Sequence, residues 1–229
     1  MNLLITGGNG FIARNLTEQL RKEYSIISRN SQELNLLDSR IVSDYLRANS
    51  FDTIIHSATY DAAPKHSTKD PTKVLENNLR MFFNIARCKG SFGKMIYFGS
   101  GGEFDREHWI SKMKEDYFDK HVPKDQYGLS KYIMAQHTLS NEGIQNLRLF
   151  AVFGKYDDWR VRLISNVCRD ASLGLPLTIN QNKFYDFTSI EDLTKIVRAS
   201  INGNLQKKIY NVCSGEIVDF KTIAEKVIK

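Results

Sequence analysis

The sequence predicts an α/β fold, a Rossmann doubly wound parallel sheet with a small C-terminal lobe, and three observations support it. Short apolar runs alternate with amphipathic stretches of helical length, a pattern typical of parallel strands joined by right-handed helical crossovers. The first apolar run leads straight into a glycine-rich turn. After Gly154 the alternation weakens, which indicates that the chain leaves the sheet to build a smaller unit.

Five apolar runs are predicted to be strands, at 3–6, 25–28, 53–56, 95–99 and 147–150. One helix of the lobe is expected at 160–172, because Gly174-Leu175-Pro176 follows as a stop signal. We therefore expect a Rossmann domain over 1–154. Residues 155–229 are expected to be mainly the lobe, with some segments returning to the Rossmann core.

Composition and charge exclude several classes of protein. A chain of 229 residues, 41% hydrophobic and 25% charged, suffices for one core and a small lobe. The net charge is +6, but its Lys and Arg residues are interleaved with acids, so nucleic-acid binding is not expected. No window reaches the length of a membrane span and the chain begins at once with a strand, so we expect a cytoplasmic protein with no membrane partner.

The three cysteines, Cys88, Cys168 and Cys213, stand far apart and lack metal-ligand spacing. The simplest interpretation is that they are buried thiols in a reducing compartment. No metal site is expected.

The first strand runs into the glycine turn Gly7-Gly8-Asn9-Gly10, after which a helix begins at Phe11 and Ile12 and continues to about 21. Such a turn lets backbone N–H groups and the helix dipole hold a pyrophosphate, and a side chain at Gly7 or Gly10 would obstruct its approach. The strand before the turn and the helix after it favour dinucleotide binding over an ordinary strand-to-helix turn.

The second strand ends in Ser28-Arg29-Asn30 without the carboxylate that binds the ribose hydroxyls of NAD. A hydroxyl and a guanidinium suit the 2′-phosphate of NADP, because Arg pairs with phosphate through two parallel hydrogen bonds. NADP(H) is therefore favoured over NAD(H), and 1–154 is expected to bind it. The alternative is that Arg29 is only a solvated loop charge.

The catalytic candidates are Tyr127, Lys131 and Ser100. Tyr127 and Lys131 are four residues apart and share one face of a predicted helix. A free phenol titrates near pH 10, so a neighbouring ammonium is expected to lower the pKa of Tyr127 and let it act as acid or base. Ser100 follows the predicted strand at 95–99, where its hydroxyl would bind a carbonyl oxygen.

In this order, these motifs resemble the extended short-chain dehydrogenase/reductases, the NAD-dependent epimerase/dehydratase family, over essentially the whole chain. The resemblance rests on 6–13, His56-Ser57-Ala58, Asn78, Asn84, Ser100, Tyr127 with Lys131, 147–150 and 185–192. It implies that Lys131 also binds the nicotinamide ribose, that Asp38 lies near the adenine and that Asn78 supports the active-site hydrogen bonds. Taken alone, Asn78 and Asn84 would be helix-surface or capping residues and His56 a packed strand-end residue.

The resemblance also implies a set of contacts and partners. Further cofactor contacts are expected at Phe11, Ile12, Ser57, Ala58 and Phe150, and substrate contacts at Gly101, Gly102, Glu103, Arg160 and Tyr185. The expected substrate is a nucleotide sugar, bound by 155–229 as a small substrate lobe. A homodimer is expected through the helices that carry Asn78 and Tyr127.

Departures from the family pattern narrow the expected reaction. Among GDP-fucose synthase-like members, a cysteine acid stands where this chain has Gly102, and a histidine occurs where the region around Arg160 has none. Dehydratases place an Asp-Glu pair where Gly101-Gly102 stands here, with Glu103 displaced by one residue. The sequence therefore predicts NADPH-dependent reduction of a keto group, on a 4-keto-6-deoxy sugar nucleotide. The alternatives are an epimerase or dehydratase with retained NAD(P), or a noncatalytic NADP-binding regulator.

Overall fold

The computed structural model describes residues 1–63 and 67–228. Its strands are β1 Asn2–Thr6, β2 Ser25–Arg29, β3 Phe51–His56, β4 Phe92–Ser100, β5 Ile144–Leu149, β6 Val152–Phe153, β7 Phe184–Asp186, β8 Thr188–Ser189, β9 Ile209–Val212 and β10 Ile217–Asp219. Its α-helices are α1 Phe11–Leu20, α2 Ser39–Ala48, α3 Val74–Ala86, α4 Gln126–Ser140, α5 Leu163–Ser172, α6 Ile190–Ile201 and α7 Phe220–Ile228.

Six strands form the central sheet in the order β2-β1-β3-β4-β5-β9, and every neighbouring pair is parallel. The predicted fold class is confirmed. The chain turns back across β1 to reach β3, which makes the carboxyl ends of these two strands a topological switch point, where open α/β sheets bind ligands.

Alternation along β1 explains why helices cover both faces of the sheet. Successive strand side chains point to opposite faces, so Leu3 and Ile5 pack in one buried cluster with α1 and α6. Leu4 packs in a second buried cluster on the other face, with α2, α3 and α4. A strand buried on both faces reads as a continuous apolar run, as 3–5 does here.

The five predicted strands are all present, but the lobe helix begins later than predicted. Helix α5 begins at Leu163 rather than at 160, because a turn occupies the three preceding residues. The backbone N–H groups of Val161 and Arg162 donate to the carbonyl oxygen of Asp158 at 3.1 and 2.9 Å, and the Arg160 guanidinium also bonds the Asp158 carboxylate.

The segment after 154 contributes to two units. Helix α6 packs on α1, and β9 extends the central sheet beside β5. Helix α5 packs on α7, and β7 pairs antiparallel with β10, which together build the lobe. The boundary at 154 stays a prediction, and the last residue of the predicted lobe, Lys229, lies outside the described residues.

The prediction that the cysteines are buried is wrong. Cys168 and Cys213 are exposed and Cys88 is half-buried. Cys168 lies on α5 of the lobe, and Cys213 follows the end of β9. In 1–63 and 67–228, no cluster of three or more His, Cys, Asp or Glu side chains is placed to hold a metal ion. Across the same residues, no helix has both the length and the apolar character that a membrane crossing requires.

Candidate active site

A cavity of about 990 Å³ opens at the carboxyl ends of β3, β4 and β5, between the sheet and the lobe. Twelve of the predicted site residues line it: Phe11, Ile12, Ser57, Ala58, Ser100, Gly101, Gly102, Tyr127, Lys131, Phe150, Arg160 and Tyr185. Gly7, Gly10, Ser28, Arg29, Asp38, Asn78 and Glu103 lie outside its lining. The cavity thus joins the start of α1 to the start of α4.

The glycine turn forms a tight backbone cradle at one end of the cavity. Gly7 has φ +72°, and a Cβ added there would lie 2.8 Å from the Ala58 Cα and 2.9 Å from its N. The Gly10 N–H donates to the Gly7 carbonyl at 2.8 Å, and Gly10 is the N-cap of α1, whose first turn carries no acidic side chain. The positive end of α1 therefore faces the space beside the cavity, as an anion requires.

The end of β2 lies beside this cradle. The Gly8 N–H donates to the Arg29 carbonyl at 2.9 Å, and a Cβ added at Gly8 would lie 2.7 Å from the Ser28 Oγ. The Arg29 side chain is held by the Tyr45 hydroxyl at 3.2 Å and by the Glu33 carboxylate at 3.5 Å. A hydroxyl and an oriented guanidinium thus stand next to the glycine turn.

Asp38 and Asn78 have structural partners of their own. The Asp38 carboxylate caps α2 by accepting from Arg40 and Ile41 N–H groups at 2.9 and 3.0 Å. Asn78 is buried, accepts from the Tyr60 N–H at 2.8 Å and donates to the Tyr60 carbonyl at 2.9 Å. Asn78 therefore fixes the loop after β3, and any support it gives the active site acts through that loop.

Helix α4 places Tyr127 and Lys131 against the end of β4. The Lys131 Nζ donates to the Phe98 carbonyl at 2.8 Å and lies 5.7 Å from the centre of the Tyr127 ring. Ser100, the last residue of β4, shares this wall of the cavity with them. The three predicted catalytic side chains therefore come together, although Ser100 and Tyr127 are 27 positions apart in the chain.

The pKa of Tyr127 runs opposite to the expectation from the sequence. Burial raises it above the ordinary phenol value, and the hydrogen bond from Ser100 offsets only part of that rise. Burial also lowers the pKa of Lys131 to about 8. The ammonium does not lower the phenol's pKa as predicted, because both groups lose water and the Lys131 Nζ is directed at the Phe98 carbonyl.

The buried imidazole of His56 is not an acid or base at neutral pH. Burial lowers its pKa to about 3, with Lys131 adding to the effect, and a hydrogen bond of 2.9 Å joins its Nδ1 to the Thr6 hydroxyl. This placement agrees with a packed strand-end residue, although its edge reaches the cavity lining.

The sequence reasoning missed Asp125 and Arg106. Asp125 caps α4 by accepting from the Gly128 N–H at 2.9 Å and pairs with Arg106 at 2.9 Å. The Arg106 guanidinium carbon lies 6.0 Å from the centre of the Tyr127 ring, and both residues line the cavity. An Asp two residues before Tyr127 is an N-cap signal, but no sequence signal indicates that Arg106 folds back onto this helix.

The lobe supplies the opposite wall. Arg160 lines the cavity and forms two hydrogen bonds with the Asp158 carboxylate at 2.8 and 3.0 Å. Tyr185 stacks on Phe220 with ring centres 5.7 Å apart. Lys183, Arg162 and the Asp157 carboxylate also line the cavity, so the lobe contributes basic, acidic and aromatic side chains to it.

Glu103 does not face the cavity, contrary to its predicted contact with substrate. Its side chain is 0% exposed and bonds Arg148, also 0% exposed, at 2.6 Å. Gly101 and Gly102 of the same short turn line the cavity instead, while Arg148 and Asn146 hold the Glu103 carboxylate away from it. The missed signal is Arg148 itself, an arginine inside the apolar run of β5.

The protein has a Rossmann sheet with a glycine cradle at its first crossover, and a Ser, a Tyr and a Lys lie in its crevice. These features define the class of dinucleotide-dependent oxidoreductases. The family model described as "NAD dependent epimerase/dehydratase family" matches residues 3–213. The chain belongs to this family, and the predictions of the family and of an NAD(P)-dependent enzyme are confirmed.

Curated relatives agree with this assignment, and a solved structure shares the fold. The chain is 27% identical to the GDP-L-colitose synthase of Yersinia pseudotuberculosis over 47% of its length and 36% of that protein. It is 24% identical to the ADP-L-glycero-D-manno-heptose-6-epimerase of Cupriavidus pinatubonensis over 100% of its length and 77% of that protein. The GDP-mannoheptose C4 reductase of Campylobacter jejuni, solved with NADP bound, shares the fold with a TM-score of 0.84 at 16% identity, over 99% of this chain and 84% of that one.

Proposed function

We propose that the protein uses NADPH to reduce a keto group on a sugar nucleotide, with a 4-keto-6-deoxy sugar as the expected substrate. The observation that carries the proposal is the single wall on which the Ser100 hydroxyl, the Tyr127 phenol and the Lys131 ammonium meet, in a cavity that reaches Phe11 and Ile12 at the start of α1. A relative named as a colitose synthase and a fold neighbour named as a C4 reductase support this reaction class.

The residues present fit NADP(H). A Cβ at Gly7 would collide with the Ala58 backbone and one at Gly8 with the Ser28 hydroxyl, so glycine lets the turn pack closely against the ends of β3 and β2. The start of α1, where a pyrophosphate would bind, follows directly. Ser28 and Arg29 stand beside Gly8, where the guanidinium would pair with a 2′-phosphate. When bound there, NADPH supplies the hydride for a carbonyl carbon.

The protein's own groups handle the proton and the oxygen. The Ser100 hydroxyl holds the carbonyl oxygen, and the Tyr127 phenol donates the proton that converts it to an alcohol. The raised pKa of Tyr127 keeps that proton in place at neutral pH. Lys131, with a pKa of about 8, is still largely protonated at pH 7, so its charge stabilises the phenolate left after the transfer.

The lobe wall fits the nucleotide diphosphate of such a substrate. Arg162 and Lys183 line the cavity, with Arg162 4.0 Å from the Asp157 carboxylate, and their positive charge complements that of a diphosphate. Tyr185, stacked on Phe220, offers an aromatic face beside these charges. Residues 155–229 are thus proposed to act mainly as the substrate lobe.

The test measures NADPH oxidation against a panel of keto-sugar nucleotides, with Tyr127→Phe as the variant. This substitution removes the proton donor and keeps the ring, so kcat should fall by about 10²- to 10⁴-fold, while the NADPH Kd from fluorescence titration stays unchanged. Intact NADPH binding with no oxidation on any keto-sugar nucleotide refutes the proposed reduction. A Tyr127→Phe protein that keeps its biological activity would instead indicate a noncatalytic NADP-binding regulator.

A second candidate is a sugar-nucleotide epimerase that retains its cofactor. The similarity to a heptose epimerase over the whole chain favours it, and Tyr127 would serve both reactions. NADPH consumed in proportion to product supports reduction. A product of inverted configuration with no net NADPH oxidation supports epimerisation.

A further inference from the structure

A buried charge network lies directly behind Ser100. Arg148 and Glu103 are both 0% exposed and are joined from the Arg148 Nε to the Glu103 Oε2 at 2.6 Å. The Asn146 side chain donates to the two Glu103 oxygens at 3.1 and 3.2 Å. None of these three residues lines the cavity, so the network does not contact the substrate.

The network reaches Ser100 through its backbone. The Ser100 N–H donates to the Glu103 Oε1 at 3.0 Å, and the Ser100 Oγ in turn accepts from the Gly102 N–H at 3.1 Å. These reciprocal bonds form a capping box around the single turn Gly101–Phe104. The carboxylate therefore holds the backbone at Ser100, and the turn that it closes presents the Gly102 N–H that orients the Ser100 hydroxyl.

Neighbouring strands hold the carboxylate in place. The Arg148 Nη1 donates to the Asn211 Oδ1 on β9 at 2.8 Å, and the Arg148 guanidinium carbon lies 4.2 Å from the centre of the Phe104 ring. Gly99 leaves the space that Glu103 occupies, since an added Cβ would collide with its carboxylate. The network thus ties β4, β5 and β9 together beneath the cavity wall.

Stability alone does not explain an ion pair at this position. Removing two charges from water is costly, and apolar residues of similar volume are often as stable or more stable. We infer that the Glu103–Arg148 pair is a positioning device, which fixes the Ser100 hydroxyl where the carbonyl oxygen of the substrate must lie. This inference rests on the proposed reduction and assigns Glu103 and Arg148 a role in kcat rather than in substrate binding.

Two paired replacements separate positioning from packing. Glu103→Leu with Arg148→Met removes both charges and the acceptor for the Ser100 N–H. Glu103→Gln with Arg148→Gln removes both charges but keeps an acceptor. We expect the apolar pair to fold and bind NADPH normally while kcat falls about 10- to 100-fold, because a displaced catalytic group loses its geometry. The glutamine pair should recover most of that loss, and KM should change little in either.

A matched control uses the Ser100→Ala background. There the apolar pair should cause no further loss of kcat, because the hydroxyl that the network positions is already absent. Additive losses overturn the inference, as does an apolar pair that folds and keeps the wild-type kcat. If the apolar pair does not fold, Arg148→Lys takes its place, because it keeps the charge but loses the fixed guanidinium fork. An unchanged kcat in that variant also overturns the inference.

Hydrogen–deuterium exchange of the segment 99–104 gives a measurement that does not depend on activity. The apolar pair, or Arg148→Lys in its place, should speed exchange of the Ser100 amide, since its acceptor is lost or displaced, and the glutamine pair should keep it slow. Wild-type protein that binds NADPH but reduces no keto-sugar nucleotide refutes the proposed function. In that case hydrogen–deuterium exchange alone tests the positioning of Ser100. If the Ser100 amide of the apolar pair, or of Arg148→Lys in its place, exchanges as slowly as in the wild type, the inference is overturned.

Discussion

Replacing Gly7 by alanine tests whether the glycine cradle is set by close packing or only by its backbone angle. Gly7 has φ +72°, and the new Cβ would lie 2.8 Å from the Ala58 Cα and 2.9 Å from the Ala58 N. Both are backbone atoms at the end of β3, so they cannot rotate away as a side chain would. The cradle must therefore open, which moves the start of α1 away from its position at the cavity.

Gly203→Ala is the matched control for the angle. Gly203 has φ +76°, and among the residues that the structure describes no heavy atom lies within 4 Å of a Cβ built there. Both substitutions incur the left-handed penalty of about 1–2 kcal/mol and the same change in the unfolded chain. Only Gly7→Ala adds overpacking, at about 1–3 kcal/mol.

Urea unfolding and NADPH titration measure the two consequences. We expect Gly7→Ala to lose about 1–3 kcal/mol more than Gly203→Ala in the free energy of unfolding, and to bind NADPH at least about tenfold more weakly. Gly203 lies outside the cavity lining, so its variant should bind NADPH normally. Equal stabilities and equal NADPH affinities in the two variants would refute the close-packing argument.

Three further predictions follow from the same geometry. Arg29→Ala should raise the KM for NADPH about 10- to 100-fold without changing the KM for NADH, because a charge-assisted hydrogen bond is worth about 1.5–3 kcal/mol. The control is Arg40→Ala, which should change neither KM, since the Arg40 side chain is 91% exposed. The value of kcat/KM for reduction should fall as the pH rises through about 8, where Lys131 loses its charge. The Lys131→Arg variant should lack this decline. A wild-type profile that stays flat to pH 10 contradicts the role proposed for the Lys131 charge. Asp125→Ala should lower the free energy of unfolding by about 1–2 kcal/mol, because it removes both the cap of α4 and the ion pair with Arg106. Asp125→Asn should keep most of the capping contribution, and thermal unfolding of the two variants measures the difference.

The features that the sequence predicts well are local. The alternation in β1 decides which side chains reach each face of the sheet, and the glycine turn needs only its neighbouring strand and helix to be recognised. Tyr127 and Lys131 share a helix face by spacing alone. Each of these predictions rests on residues close together in the chain, where periodicity and turn chemistry determine geometry.

The features that the sequence could not give depend on distant contacts. Glu103 follows Ser100 closely in the chain, which predicts a contact with substrate, but its direction is set by Arg148, 45 residues away. Arg106 reaches α4 only because the loop after β4 folds back to Asp125. Neither contact leaves a periodic pattern, and both are decided by strand order and loop path.

The pKa of Tyr127 depends on burial, a property of the whole fold that residue spacing in the chain does not show. Spacing places an ammonium near the phenol and suggests a lowered pKa, but burial raises the pKa instead. Reduction requires a phenol that starts with its proton. A retained-cofactor epimerase starting from its hydroxyl substrate requires a phenolate that accepts one. The raised pKa of Tyr127 suits the proposed reduction, in which the phenol starts with its proton, and in that proposal the charge of Lys131 stabilises the phenolate after the transfer.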